Sequence, residues 1–295
     1  MVKPYSFNYI FKPDWEEMWV SALRDAWIND MVLRYGSVIK AWNNYAKRYD
    51  EDEIRYSNRP QLVKRLLDLK PESVLDIGGG TGVFALPMAM HTERVIVVEP
   101  SEGMCEILKR KIEENGIKNI GIIQKRWEDA DERELLKINE NSSYDLVLVS
   151  HSLYYIRGLH RSFLKMNNLS KGYVYLFTGC SARNRDPEYE RLYMILHHRP
   201  LPPQPDYLCL YMILREIGIE PNIEVIDAEV KRPIKDMEEL VEKWKSYLKH
   251  KELTKEQVDA IRSYVSKKIL KEDGRLYYFY RYKNAMIYWK REGVL

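Results

Sequence analysis

Residues 74–82, VLDIGGGTG, combine one carboxylate with four glycines. An apolar run leads into Asp76, and the glycines follow within five residues. Glycine has no Cβ, so the backbone can turn sharply at the end of a strand and approach a ligand closely. A carboxylate beside such a turn could hold a cationic group, directly or through a backbone-bound water. The stretch therefore predicts a ligand site, with a tight turn that binds nothing as the alternative.

A second carboxylate, Glu99, stands at the end of the next apolar run, 21 residues beyond Gly78. An acid at that position can accept both hydroxyl groups of a ribose. A dinucleotide fingerprint would need a third glycine where this chain has Val83. Asp76 would also repel an anionic pyrophosphate. We infer a nucleoside that carries positive charge.

Strands must place these groups, and five apolar runs separated by helical stretches, the first of them a helix expected over residues 81–91, are suited to that task. The runs are residues 72–78, 94–100, 119–124, 144–150 and 172–179. Most of them do not alternate apolar with polar residues, which is typical of parallel strands covered on both faces. We therefore predict an α/β fold with a doubly wound, mostly parallel sheet. Ligands of such sheets bind beyond the carboxyl ends of the strands, where the strand order reverses.

Composition excludes several other classes of protein. A net charge of +3 over 295 residues gives no field typical of a nucleic-acid binder, although a local basic patch stays open. The three cysteines are widely separated and never paired as CxxC, which argues against disulfides and for a reducing compartment. No run reaches the roughly 18 apolar residues of a membrane span, and the first residues lack the apolar core of a signal peptide. We expect a cytoplasmic protein without a membrane partner.

Four motifs, in order, resemble those of class I S-adenosylmethionine-dependent methyltransferases. They are VLDIGGGTG (74–82), VVEPSEGM (97–104), IIQKRWEDA (122–130) and YDLVLVSHSLYYI (144–156). The resemblance implies a seven-stranded sheet whose last strand runs antiparallel. It also implies S-adenosylmethionine as the cofactor, S-adenosylhomocysteine as its product, and methyl transfer by in-line displacement.

By this resemblance, the glycine loop holds the methionine part of the cofactor and Glu99 binds the ribose. The residues implied around the cofactor are Tyr49, Asp76, Gly78, Gly79, Gly80, Glu99, Pro100, Trp127, Glu128 and Ser150. Arg126 stands where family members commonly carry an acid, so adenine recognition departs from the usual pattern. We expect Glu128 or Asp129 to accept from the exocyclic amine, and Trp127 to pack against the ring.

Side chains that follow the fourth strand are the candidates for catalysis. The motif places Ser150, His151 and Ser152 in the crevice near the methyl group, with His151 as the candidate base. A histidine at a strand end can equally serve only to hydrogen-bond the backbone. Tyr154 and Tyr155 are expected to shape the acceptor pocket. Aligning the reactants can contribute about 7 to 11 kcal/mol, so a strong base is not required.

The chain divides into four expected parts. They are an N-terminal helical segment (1–70), a cofactor-binding core (71–233), a helical insertion or lid (234–274) and C-terminal strands that complete the sheet (275–295). Tryptophans at helical spacing predict one or two helices within residues 14–50, which either pack on the core or contact substrate. We expect the two charged helices of residues 234–274 to join them as a cap over the substrate.

Two further short stretches have both a structural and a functional interpretation. AWNNYAKRYDE (41–51) is similar to a stretch that precedes the fold in small-molecule methyltransferases, where Tyr45 and Tyr49 would close over the cofactor. Ordinary helix packing explains the same tyrosines. His197 and His198 are adjacent but lack partnered acids, so we predict no metal site.

A small-molecule acceptor is the leading hypothesis, because 22 tyrosines suit a pocket for an apolar or planar molecule. RNA or protein is the alternative acceptor. Against it, residues 150–153 read SHSL, where methyltransferases that act on the amines of bases carry an N-P-P-Y-type tetrapeptide. A regulatory protein that binds the cofactor without catalysis is the third interpretation, because it would need the same cofactor motifs.

Overall fold

The structure, a computed structural model, describes residues 13–53, 59–140, 142–180, 186–247 and 252–291. The apolar runs of the sequence form the centre of a sheet that is buried on both faces. Side chains of the first strand alternate between two apolar clusters, with Leu75 and Ile77 in one and Val74 in the other. Helices cover both faces, as the unalternating pattern predicts.

The strands are β1 (Ser73–Ile77), β2 (Arg94–Val98), β3 (Ile120–Ile123), β4 (Tyr144–Ser150), β5 (Ser170–Gly179), β6 (Asn222–Ile234), β7 (Ile269–Glu272) and β8 (Arg275–Lys290). The α-helices are α1 (Trp15–Leu23), α2 (Asn29–Tyr35), α3 (Val38–Glu53), α4 (Arg59–Leu67), α5 (Ala85–Ala89), α6 (Glu102–Glu114), α7 (Glu132–Ile138), α8 (Leu159–Leu169), α9 (Pro187–His197), α10 (Tyr207–Glu216), α11 (Met237–Tyr247) and α12 (Lys255–Ser266). Among the described residues, no helix is long and apolar enough to cross a membrane.

The sheet has the strand order β3-β2-β1-β4-β5-β8-β6, with β7 attached to β8. The first five strands are parallel, and β8 runs antiparallel to both β5 and β6. Leu75 of β1 lies opposite Ile96 of β2 and Val147 of β4. The chain leaves β1 towards β2 and later returns to β4 on the other side, so the strand order reverses between β1 and β4. This reversal opens a crevice beyond the carboxyl ends of these strands.

The doubly wound α/β fold is confirmed, with two differences in its elements. The described residues form eight strands instead of seven, because the short β7 pairs with the first residues of β8. The helix expected over residues 81–91 is reduced to α5. Gly82 takes a φ of 87°, a left-handed conformation that an α-helix cannot include, and the helix begins only beyond it.

The hairpin of β6 and β8 extends beyond the rest of the sheet. The two strands pair from Asn222 to Ile234, whereas β5 pairs only with residues 284–290 of β8. The half of the hairpin that does not pair with β5 forms a separate apolar cluster with α9, α11 and α12. Its buried members are Leu192, Leu196, Ile234, Leu240, Val241, Ile261 and Val265. The helices of residues 234–274 thus complete the hairpin's own core.

The N-terminal helices pack on the core through α1 against α10 and α3 against α6. Trp19 is fully buried and stacks on Tyr154 with 5.7 Å between the ring centroids. Gly103 permits the close crossing of α3 and α6, because a Cβ there would lie 3.0 Å from the backbone oxygen of Asn43. The expected packing role therefore holds for Trp19, whereas the side chain of Trp27 lies outside the described residues.

His160 joins α1 to the core from two sides. Its Nδ1 lies 2.8 Å from Glu16 Oε2, and its Nε2 lies 2.8 Å from Glu216 Oε2. Glu16 Oε1 also accepts a hydrogen bond of 2.7 Å from the Leu159 N–H. Burial by itself would lower the pKa of His160, but the hydrogen bonds and charges of Glu216 and Glu16 raise it above its ordinary value. The protonated ring holds the start of α1, the start of α8 and the end of α10 together.

We predict that His160→Gln lowers the free energy of unfolding at pH 5.5 and has a much smaller effect at pH 9. A group whose pKa is raised by folding stabilises the protein below its unfolded pKa of about 6.5, and this contribution is lost as the pH rises through the folded pKa. The His160 side chain is 38% exposed, so solvent screening limits the effect to less than about 1 kcal/mol. Urea unfolding at both pH values measures it, with the exposed His91→Gln as control. Equal destabilisation at both pH values would contradict this role.

Candidate functional site

A cavity of about 950 Å³ lies beyond the carboxyl ends of β1, β2 and β4. Above it lies a roof, by which we mean α1, the π-helical turn Arg24–Ile28, α2 and α3. The apolar side chains that the roof contributes to the cavity are Val20, Leu23, Ile28, Val32, Leu33, Val38, Ile39 and Trp42. The volume is near the upper end of the roughly 300 to 1,000 Å³ range of small-molecule sites, which suits a cofactor together with a second ligand.

The expectation that the helices of residues 234–274 cap the substrate is wrong for this cavity. No described residue of that segment lines it. The hairpin that carries these helices lies at the β8 and β6 edge of the sheet, whereas the cavity opens over β1, β2 and β4. Of the part of the chain that the structure describes, the N-terminal helices form the roof.

The glycine loop after β1 is shaped by contacts that exclude side chains. Gly78 has a φ of 71°, and a Cβ there would lie 2.3 Å from the Cβ of Ser152. Ser152 in turn donates from Oγ to the Ile77 carbonyl at 2.7 Å, which fixes the loop after β4 against the end of β1. Gly80 has a φ of 55° and open space where a Cβ would stand. The backbone of this loop is therefore free to contact a ligand in the cavity.

Asp76 lies beneath this loop and is not among the described residues that line the cavity. Alternation along β1 turns its side chain to the face of Val74, whereas Ile77 lines the cavity. Asp76 is 2% exposed, and its Oδ2 has no hydrogen-bond partner among the described residues. Gly79 leaves room for this carboxylate, because a Cβ at Gly79 would lie 2.8 Å from Oδ2. Burial, and then the charge of Glu99, raise the pKa of Asp76 to about 7.

Glu99 lines the cavity and binds two backbone segments at once. Its Oε2 accepts from the Gly80 N–H at 3.1 Å, and its Oε1 accepts from the Ser101 N–H at 2.8 Å. Burial raises the pKa of Glu99, and these two hydrogen bonds oppose the shift. Each carboxylate oxygen keeps a further lone pair, so the side chain can still accept from a diol. Pro100, which follows it, also lines the cavity.

The loop after β3 supplies the next part of the wall. Trp127 is 3% exposed, and the ammonium of Lys165 lies 3.9 Å from its ring centroid and donates to its carbonyl at 2.7 Å. Glu128 Oε1 accepts from the Arg157 N–H at 2.9 Å and lies 3.7 Å from the guanidinium of Arg126. Of the two acids considered for adenine, Glu128 lines the cavity, and Asp129 is not among the lining residues that the structure describes.

His151 stands at the end of β4 in a strained left-handed conformation with a φ of 52°. Its N–H donates to the Phe177 carbonyl at 2.9 Å, and its ring is exposed towards the cavity. Desolvation of the ring by the surrounding side chains, and then the charge of Arg59, lower the pKa of His151 to about 4. The imidazole is therefore neutral at physiological pH and is a weak base.

Tyr154 and Tyr155 also line the cavity, but they are held differently. The Tyr154 hydroxyl accepts from the Gly179 N–H at 2.8 Å and bonds the Thr178 hydroxyl at 3.0 Å. It also lies 3.4 Å from His151 Nδ1. Tyr155 packs edge-on against Trp42 of the roof with 5.7 Å between ring centroids. Tyr154 thus lies behind the ring of His151. Tyr155 connects the roof to the floor of the cavity, by which we mean the loops that follow β1, β2, β3 and β4.

Asn43 is a site residue that the sequence analysis missed. Its Oδ1 accepts from the Ser101 hydroxyl at 2.7 Å and from the Gly103 N–H at 3.2 Å. These bonds join α3 to the first turn of α6, next to Glu99. Tyr49, the residue expected to close over the cofactor, lines the cavity and packs edge-on against Trp42.

Asp50 makes a second attachment of α3 to the floor. Its Oδ1 accepts from the Thr81 hydroxyl at 2.6 Å, and its Oδ2 pairs with Lys111 Nζ at 2.8 Å. Lys111 also donates to the Thr81 carbonyl at 3.2 Å. Asn43 and Asp50 are seven residues apart, so they share one face of the helix. In the sequence, the seven-residue spacing of Asn43 and Asp50 is the signal that could have indicated two polar contacts on the same face of α3.

Comparison with known families identifies the central part of this chain. Residues 74–171 match the family described as a methyltransferase domain. The chain carries a class I S-adenosylmethionine-dependent methyltransferase domain. Its strand order, with the antiparallel strand β8 between β5 and β6, is typical of that class.

Relatives of the methyltransferase domain are distant. An uncharacterised protein of Haemophilus influenzae is 27% identical over 169 residues, which is 57% of this chain and 59% of that protein. A ribosomal RNA small subunit methyltransferase A of Mycoplasma mycoides is 29% identical over 102 residues, or 32% of this chain and 35% of the relative. The chain thus spans less than two thirds of the length of either relative.

A solved structure shares the fold over most of this chain. It is a protein of Bacillus halodurans, solved as a proposed methyltransferase, that is 17% identical with a TM-score of 0.52. The match covers 80% of this chain and 99% of that one. At this identity the likeness concerns the fold alone.

The residues present at the floor fit S-adenosylmethionine. Gly80 leaves open space beside the backbone, and Glu99 keeps lone pairs for the ribose hydroxyls. Two buried carboxylates lie here: Glu99 lines the cavity, and Asp76 lies beneath it with an oxygen that lacks a partner among the described residues. This arrangement favours a ligand with positive charge over an anionic one.

We predict that Asp76→Asn stabilises the cofactor-free protein increasingly as the pH rises from 4 to 8. The folded pKa of about 7 lies above the unfolded value near 4, so the wild type loses stability over this interval, as a buried charge forms. Between pH 4 and pH 8, the free energy of unfolding of the variant should rise by on the order of 1 to 4 kcal/mol relative to that of the wild type. Urea unfolding across the interval measures the difference. A gain that is constant with pH would contradict a buried, titrating carboxylate.

Asp145→Asn provides a control of opposite sign. Burial would raise the pKa of Asp145, but hydrogen bonds from Ser73 and the ion pair with Lys171 hold it below its ordinary value. This substitution should therefore destabilise the protein at pH 7, and its effect should fade as the pH drops through the folded pKa.

We predict that Asp50→Ala loosens the roof. The Thr81 hydroxyl is fully buried and would lose its acceptor, which should cost about 1 to 3 kcal/mol of stability and speed hydrogen exchange of the α3 amides. Lys47→Ala, which removes an exposed charge from the same helix, is the control. Unchanged exchange along α3 in Asp50→Ala would show that the contact does not hold the roof.

Proposed function

We propose that this protein transfers a methyl group from S-adenosylmethionine to a small molecule enclosed between the sheet and the roof. The observation that supports this is the cavity itself, about 950 Å³ that includes the cofactor motifs and continues beneath the apolar side chains of the roof. A largely apolar pocket with a few convergent polar groups is typical of small-molecule sites.

The residues of the chain act by binding and orientation. When bound, the cofactor supplies a methyl group that is activated by a positively charged sulfur. Glu99 would hold the ribose hydroxyls, and the backbone at Gly78 and Gly80 would contact the methionine part. Glu128 would approach the adenine. The roof excludes water, and it fixes the acceptor in line with the methyl group, which is where most of the rate enhancement would arise.

His151 would orient the acceptor and would not act as a strong base. A general base works best when its pKa lies near the working pH, and the pKa of this imidazole is lowered to about 4. Such a group can exchange a hydrogen bond with the acceptor, but it cannot readily take a proton from an ammonium group. Our proposal therefore favours an acceptor whose nucleophilic atom is unprotonated at neutral pH.

RNA is the second candidate acceptor, because of the partial likeness to a ribosomal RNA methyltransferase. The likeness covers about a third of each chain, and the roof stands between a large substrate and the end of β4. Among the described roof residues that line the cavity, Arg24 carries a charge and the others are apolar or neutral, so the row of phosphates of an RNA would find few partners there. These features favour the small molecule.

We predict that S-adenosylhomocysteine binds the wild type and that Glu99→Gln raises its dissociation constant at least about tenfold, because a charged hydrogen-bond acceptor is lost. Isothermal titration calorimetry measures both, with Glu102→Gln as control, since that acid is exposed on α6 and does not line the cavity.

The acceptor is then identified by incubating the protein with methyl-labelled S-adenosylmethionine and separated metabolite, RNA and protein fractions of a cell extract. We expect label in the metabolite fraction, and much less there with Glu99→Gln when the cofactor concentration is below the dissociation constant of that variant. Label that enters RNA or protein instead would overturn the small-molecule proposal while leaving the cofactor assignment intact.

A further inference from the structure

A guanidinium of the roof lies at the cavity. Of the described cavity-lining residues that belong to the roof, Arg24 is charged and the others are apolar or neutral. The neutral polar ones include Asn29 and Ser37. A guanidinium among apolar neighbours is costly to desolvate unless an anion pairs with it.

The backbone at Arg24 is unusual. Arg24 begins the π-helical turn Arg24–Ile28, which inserts an extra residue between α1 and α2. Such turns are rare and frequently occur at functional sites, because the wider turn redirects side chains. Both end residues of this turn, Arg24 and Ile28, line the cavity.

Among the described residues, the ion-pair partner of Arg24 is a weak one. Its guanidinium lies 3.5 Å from Glu17, and the two side chains are 50% and 61% exposed. An ion pair of that kind contributes little, so exchanging it for a ligand anion has a small cost. A guanidinium matches the geometry of a carboxylate or a phosphate, with two parallel hydrogen bonds.

The rest of the acceptor side offers no competing negative charge. The acids among the described lining residues are Glu99 and Glu128, and both belong to the cofactor motifs. Glu99 is bonded to two backbone N–H groups, and Glu128 is bonded to the Arg157 N–H and lies near Arg126. Among the described residues, the carboxylate that an anionic acceptor would meet at Arg24 is that of Glu17, which does not line the cavity and which the anion would displace.

We propose that the methyl acceptor is a largely apolar molecule with one anionic group, and that Arg24 binds this group. The inference rests on the proposed function and adds the substrate class. The apolar roof would cover the body of the molecule, and Arg24 would fix its orientation relative to the end of β4. Arg24 is thus a residue that determines specificity.

The test uses the full chain saturated with S-adenosylhomocysteine and four probes of equal chain length: decanoate, decyl phosphate, decan-1-ol and decylamine. Calorimetry should show that one of the two anions binds at least about tenfold more tightly than the alcohol, and that the amine binds no more tightly than the alcohol. The preferred anion identifies the group as carboxylate or phosphate.

Arg24→Met should reduce the affinity for the preferred anion to that for the alcohol and leave the affinity for S-adenosylhomocysteine within about twofold. Arg48→Met is the matched control, because it removes the same charge from an exposed position of the roof that does not line the cavity. It should keep the preference for the anion.

Three results would overturn the inference. The alcohol could bind the wild type as tightly as the anions, or Arg24→Met could keep the preference. Arg24→Met could also weaken S-adenosylhomocysteine as much as the anion, which would assign Arg24 to the carboxylate of the cofactor. A folded wild type that binds no S-adenosylhomocysteine would overturn the proposed function as well, which distinguishes the two failures.

Discussion

The buried carboxylate of Glu99 is the interaction on which the rest of the site depends. Its two oxygens accept from the N–H groups of Gly80 and Ser101, and they thereby fix the glycine loop after β1 relative to the start of α6. α3 is then fastened to these two segments, through Asn43 to Ser101 and through Asp50 to Thr81. The floor and the roof of the cavity thus share one anchor. A buried charge with bonded oxygens can serve this purpose because its hydrogen bonds are stronger than neutral ones.

This anchor has an electrostatic consequence. Glu99 lines the cavity and Asp76 lies beneath it, both are buried, and the charge of Glu99 adds to the effect of burial on the pKa of Asp76. Two nearby buried acids repel each other, and a cation placed close to them relieves that repulsion. Selection for a positively charged nucleoside is therefore a property of the floor itself. Away from the floor, desolvation of the His151 ring, and then the charge of Arg59, favour the neutral form of that imidazole.

The two accessory parts of the chain have different tasks. The roof packs through α1 on α10 and through α3 on α6, and it lines the cavity. The long hairpin of β6 and β8, with α9, α11 and α12, builds a separate apolar cluster at the other edge of the sheet. The residues of the roof and of the helices α11 and α12 are both amphipathic and charged. Their periodicity therefore predicted helices in each segment, but it did not indicate which segment covers the crevice. The choice depends on which sheet edge each segment reaches.

The sequence by itself determined the parallel sheet, the glycine loop and the positions of Asp76, Glu99 and His151 at strand ends, because burial on both faces and tight turns leave direct marks in residue type. Tertiary structure decided which way these side chains point. It placed Asp76 beneath the loop, exposed the His151 ring to the cavity within reach of the charge of Arg59, and joined Asn43 and Asp50 of α3 to Ser101 and Thr81. It also placed Arg24 in the cavity through a π-helical turn. Contacts between residues 30 to 60 positions apart, and the pKa values that follow from them, depend on the packed chain, and local sequence carries no record of that packing.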